Sequence, residues 1–277
     1  MGARSSRKVT AAISKIKETH PEADVQVLLM DHTILSTVVS AAKSFSVQEP
    51  KLHGLILNAG IVAVPYEITP DGFEIQMQVN YIAHWLLTYH LLPILLSTSL
   101  KDGEGSARVV PVTSEGHRRP WTVTKIPYDE TEIKGFGRWG LYGVSKLADI
   151  LLAKPLHASY GPGSLNSMQG MGEIWAAAAN PGFIDTQLNE KNRDSVGWKL
   201  KWIHSFIRAT GVVRPCDEGC VSSLFVAASP QFKKEMSGLY FSEKANITKP
   251  SPAAMSEEER VKLEAWTQEV MKKGGWI

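Results

Sequence analysis

Apolar positions along this chain fall into two alternating patterns. Short continuous runs read as strands: Asp24 to Met30, His53 to Leu57, Ala107 to Thr113, Ile174 to Ala179 and Leu239 to Phe241. Between them lie segments with helical spacing. Residues 6–19 place Val9, Ile13 and Ile16 on one stripe and basic residues on the other. Helices are also predicted from about Ile34 to Phe45, over 72–97 with Asn80 inside, around Tyr142, and over 216–228. Ser256 with Glu259 makes a capping box for a closing helix whose Leu263, Trp266 and Val270 face inward.

Strands that are continuous apolar runs, alternating with helices, predict an α/β fold with a parallel sheet covered on both faces. Ligands in such folds bind outside the carboxyl ends of the strands. Asp31, Asn58, Ser114 and Pro181-Gly182 each close a predicted strand. Four polar motifs therefore share one edge of the sheet.

Composition narrows the picture. A chain of 277 residues, 43% hydrophobic and 21% charged, can build a sizeable core. Its net charge of +2 argues against a dedicated nucleic-acid binder. Cys216 and Cys220 lie one helical turn apart with no further ligands to complete a metal set. They read as thiols of a reducing compartment, giving a cytoplasmic expectation. The longest apolar run, Ala83 to Leu96, contains His84, Thr88, Tyr89, His90 and Pro93. It reads as a core helix and not as a membrane span.

Tyr142 and Lys146 are four apart on one helix face. A phenol with a reference pKa of about 10 is a poor acid or base near neutrality. A fixed ammonium favours the phenolate, so the pair suits proton transfer at an oxygen. His117 lies close to Ser114, but the G-x-S-x-G elbow of a hydrolase is absent.

Five motifs in order then carry a resemblance. They are Asn58-Ala59-Gly60, Asn80 in QVNYIAHWLLT, Thr113-Ser114, Tyr142-x-x-x-Lys146 and Pro181-Gly182-x-x-x-Thr186. With them the chain resembles a short-chain dehydrogenase/reductase. It is most similar to the retinol-dehydrogenase-like branch, which includes fungal reductases of secondary metabolism. The resemblance implies a Rossmann-type doubly wound parallel sheet, one domain over 1–277, with a substrate lid at about 187–215. It implies an NADP-dependent oxidoreductase acting on a hydrophobic carbonyl or alcohol. Tyr142 would exchange the proton, with Ser114 on the same oxygen. Lys146 would act on Tyr142 and the nicotinamide ribose, and Asn80 would hold a water linking Lys146 to solvent. Asp31 would meet the adenine, Asn58 the ribose, Ile184 and Thr186 the carboxamide, and Arg4 the 2′-phosphate. A homodimer or tetramer, formed through the Asn80 and Tyr142 helices, is implied as well. Trp198, Trp202, Ile203, Phe206 and Ile207 give the lid segment an apolar character.

Family members begin with a strand and a glycine-rich turn that carries the pyrophosphate on a helix N-terminus. This sequence has no such motif. Gly2-Ala3-Arg4-Ser5 matches the exit of the family's second strand, so the first β-α unit, about 30 residues, is lacking. In the family's strand order the first strand lies between the second and the fourth. Without it, two strand edges are expected to lose ladder partners. Two readings follow: an NADP-dependent enzyme, or a degenerate, non-catalytic relative acting as a binding or scaffold protein.

Overall fold

The computed structural model describes residues 1–118, 123–184 and 215–277. Strands and helices alternate as the patterning predicts, with shorter strands. β1 (Gly2–Ala3) leads to a helix over Ser6–Thr19, and β2 (Leu28–Leu29) to one over Leu35–Gln48. β3 (Gly54–Leu57) precedes the long helix Ile75–Asp102, and β4 (Arg108–Pro111) precedes the tyrosine helix Gly137–Tyr160. β5 (Trp175–Ala176) and β6 (Ala178–Ala179) form one nearly continuous run. A helix over Val221–Ala228, β7 (Tyr240–Ser242), β8 (Asn246–Ile247) and the closing helix Glu257–Lys273 complete the order. The capping box forms as expected: the Ser256 hydroxyl accepts from the Glu259 amide at 3.2 Å.

β3, β4 and β5 form a parallel ladder, with Leu55 opposite Val109 and Ile56 opposite Val110. A parallel bridge from Val112 to Ala179 carries it on to β6 and β7. β8 adds an antiparallel strand that the sequence pattern misses. β1 pairs with β2 alone. Among the described residues no ladder joins this pair to β3.

Helix packing and side-chain hydrogen bonds hold the two parts together. Leu35, Val38, Ala41 and Ala42 of the second helix share a core with Trp85, Leu86 and Leu91 of the long helix. Gln78 donates to the His32 carbonyl at 3.0 Å, and Asp71 accepts from the Leu35 amide at 2.8 Å. The long helix is apolar and long enough to cross a membrane by length and composition, yet 67% of its most apolar window is buried in the fold. The closing helix lies on it, through Tyr81 to Thr267 at 2.9 Å and Trp85 to Glu264 at 3.0 Å.

Candidate active site

The tyrosine helix fits against β4 because two of its contacts lack side-chain bulk. A Cβ on Gly143 would lie 2.6 Å from the Gly116 carbonyl oxygen and 2.7 Å from Val123. The helix therefore meets the turn Glu115–Arg118 backbone to backbone. Thr113 fastens it further, donating to the Lys146 carbonyl at 2.6 Å. The Tyr142 ring packs on Gly116, where an added Cβ would sit 3.1 Å from the ring edge. The Gly116 amide in turn donates to the Ser114 hydroxyl at 3.3 Å. Ser114 and Tyr142, expected to act on one oxygen, are thus brought to the same turn.

That turn is braced from the neighbouring strands β6 and β7. Asn180 donates to Glu115 at 2.8 Å, and Tyr240 donates to the same carboxylate at 3.0 Å. Burial and the Glu115 carboxylate both push the Tyr240 phenol well above its usual range, so it stays a neutral donor. His117 Nδ1 donates to the Ser114 carbonyl at 2.6 Å, and burial lowers the imidazole's pKa. Its described role is to hold the turn in shape. The sequence motifs assign no role to Glu115, Gly116, Gly143 or Tyr240; Gly143 fills one of the unspecified positions of Tyr142-x-x-x-Lys146.

Lys146 is 6% exposed and donates to the Val112 carbonyl at 2.9 Å and to Asp149 at 2.8 Å. Burial works against its charge. Asp149, and after it Tyr142, outweigh that and carry its pKa above the ordinary lysine value. An ammonium has three hydrogens, so one remains for a ligand or water. Gly60 of the Asn-Ala-Gly motif approaches this group: a Cβ there would lie 3.1 Å from Asn80 Oδ1 and 3.7 Å from Lys146 Nζ.

Asn80 is fully buried and satisfied within the chain. Its Oδ1 accepts from the Ile61 amide at 2.8 Å, and its Nδ2 donates to the Ile61 carbonyl and to Ser145 Oγ. It sits in a π-helical turn, Gln78–Ile82. Such turns mark functional positions in helices more often than chance, and the apolar periodicity gives no sign of it.

The expected cofactor residues are spread more widely. Arg4 and Asp31 close β1 and β2 and approach each other at 3.9 Å. Asp31 also accepts from the Thr33 amide and hydroxyl at 2.9 and 2.7 Å. Asn58 is exposed just past β3, and Ile184 is buried beyond the Pro181-Gly182 turn. Thr186 and nearly all of the lid segment lie outside the described residues. A cavity of about 400 Å³ opens on the other side of the tyrosine helix. Tyr66, Phe73, Met77, Leu141 and Val144 are among its lining residues, and none of the expected site residues is.

A phenol, a serine hydroxyl and a buried ammonium come together near the carboxyl end of β4, an arrangement that suits proton transfer at an oxygen. The comparisons with known proteins agree. The short chain dehydrogenase family model matches residues 1–128. A short-chain dehydrogenase/reductase, drtF, of Aspergillus calidoustus is 44% identical over 276 residues, covering 99% of this chain and 85% of that protein. Retinol dehydrogenase 12 of Homo sapiens is 31% identical, covering 87% of this chain and 68% of that protein. A solved structure of a protein from Mycobacterium paratuberculosis superposes with a TM-score of 0.68 at 25% identity, covering 98% of this chain and 83% of that one. The chain belongs to the short-chain dehydrogenase/reductase family.

Proposed function

We propose that this chain is an NADP-dependent oxidoreductase that interconverts a carbonyl and an alcohol on a hydrophobic small molecule. The observation that carries the reading is the seating of the Tyr142 ring on Gly116, whose amide holds the Ser114 hydroxyl. A bound nicotinamide would supply or accept hydride at carbon. The chain's own residues handle the proton. Tyr142 gives it to the carbonyl oxygen in reduction and takes it back in oxidation. Ser114 donates a hydrogen bond to the same oxygen as charge develops there. Lys146, one turn further along the same helix face, is the charged partner of Tyr142.

Arg4 is exposed beside Asp31, the right charge for a 2′-phosphate beside a polar acceptor for the adenine end. The residues present thus fit the two ends of such a cofactor. The apolar composition of 187–215 and the likeness to a retinol dehydrogenase support a hydrophobic substrate, with fungal secondary metabolism as one setting for it.

A titration with NADPH, followed by nucleotide fluorescence, tests the reading. Saturable binding is expected. Tyr142→Phe should lower carbonyl-dependent NADPH oxidation by about 10²-fold or more and leave NADPH binding intact. A folded chain that neither binds nor oxidises NADPH overturns the proposal. The separation of the β1-β2 pair from the β3 ladder favours a second reading, a non-catalytic binding or scaffold protein. Saturable NADPH binding would exclude it.

A further inference from the structure

Asp149 lies three residues beyond Lys146 on the tyrosine helix and is fully buried, 0% exposed. It belongs to none of the motifs above. Its Oδ2 accepts from the Lys146 ammonium at 2.8 Å. Its Oδ1 has no hydrogen-bond partner and faces His84 Nδ1, also buried and unpartnered, at 4.0 Å. Buried polar atoms are rarely left unpaired. A shift of about 1 Å brings these two within hydrogen-bond reach of each other. Beyond His84 the His32 ring packs edge-on at 5.0 Å, and His32 Nδ1 donates to the Val79 carbonyl at 3.0 Å.

Burial disfavours a charged ammonium, and lysines sealed in apolar surroundings lose their protons several pH units early. Lys146 is sealed in this way, so something must offset the loss of water. The Val112 carbonyl contributes a dipole, and Asp149 contributes a full opposite charge. The other titratable groups around the pair are Tyr142 on the same helix, Tyr81 and His84 on the long helix, and His32 beyond His84. Only the carboxylate can hold the ammonium charged over a wide pH range.

We propose that Asp149 is the positioning residue of this site: it keeps Lys146 protonated and aimed, and His84 steadies its second oxygen. Asp149 and Val112 take two ammonium hydrogens, and the third stays directed at the space beside Gly60 and Asn80. This inference rests on the reading of Lys146 as the partner of Tyr142 and adds the group that makes Lys146 fit for it.

The test uses the chain without cofactor. NMR titration of lysine labelled with ¹³C at Cε follows the Lys146 charge directly. In the unaltered chain Lys146 should stay charged to about pH 10 or beyond. In Asp149→Asn, a near-isosteric change, its titration should fall by about two units or more. The alkaline limb of the pH–rate profile should move down with it, and the conservative Asp149→Glu should restore part of the shift. A folded Asp149→Asn chain whose Lys146 titrates as before overturns the proposal. So does an unaltered chain whose Lys146 loses its charge below about pH 9, a result that needs no variant to fold. Failure of NADPH binding with the expected lysine titration would sink the proposed function and leave the role of Asp149 standing. An unmoved lysine with intact NADPH oxidation would do the reverse.

Discussion

The parts of the molecule before and after β3 are built to different standards of burial. The tyrosine helix buries fifteen of its twenty-four residues, and the first helix buries only Val9. On β2, Leu29 is 54% exposed. On the ladder itself, Ile56 of β3 is 42% exposed and its direct partner Val110 of β4 is fully buried. A parallel strand is covered only when it has neighbours on both edges and helices on both faces. β4 meets that condition, and β3 meets it on one edge. The chemistry is divided along the same line. Tyr142, Lys146, Ser114 and Asn80 sit in the closed part. Arg4 and Asp31 lie in the open part, and Asn58 is exposed at its border. Burial around the groups proposed to transfer the proton is therefore no guide to burial where the far end of a cofactor would lie.

Leu147, fully buried on the tyrosine helix, gives the largest expected contrast in stability. Leu147→Ala should lower the unfolding free energy by about 2–5 kcal/mol, read from urea midpoints at constant slope; a cost under about 1 kcal/mol would mean the closed part is looser than its burial implies. His32 comes next, at the contact between the two parts. Burial, and after it His84, lowers its pKa from 6.5 to about 4. The unfolded chain then binds this proton at a higher pH than the folded chain does. Stability from His32 is present above about pH 6.5 and is lost as pH falls toward 4, by up to about 3 kcal/mol. His32→Asn should flatten that part of the stability–pH curve, and an unchanged curve would show that the contact opens before the ring is protonated. The smallest effect is expected at Ile56. Ile56→Ser should stay within about 0.5 kcal/mol, and a loss near that of Leu147→Ala would show that another chain covers this edge in solution.

Much of this was legible from residue order. The helices over 6–19 and around Tyr142 follow from periodicity, and the closing helix from Ser256 and Glu259. Asn58, Ser114 and Pro181 of the motifs follow strands, and Asn80 and Tyr142 lie on helices that Asn80 joins through Ser145. The strands come out shorter than their apolar runs. Asp24 to Val27 carry strand-like residues but stay outside the two-strand ladder, with the Gln26 carbonyl accepting from the Met1 amino group at 2.5 Å. The close approach of Gly116 to Gly143 joins distant residues across a turn, which no local pattern reports. Asp149 is equally silent, since an aspartate three residues past a lysine on a helix usually reads as a solvated surface pair. Only the burial of both partners changes its meaning.

The π-turn at Gln78–Ile82 has a consequence for changes in chain length. It holds one residue more than an α-turn would, and the wider turn absorbs that residue. Ala83–Asp102 thereby keep the phase of a regular helix, with Trp85 on Glu264 and Leu86 and Leu95 in the core. Deleting a single residue inside the turn would restore ordinary helix bonding and leave that phase nearly unchanged. The same deletion in the α-helical stretch beyond it would rotate the rest of the helix by about 100° and retract it by about 1.5 Å.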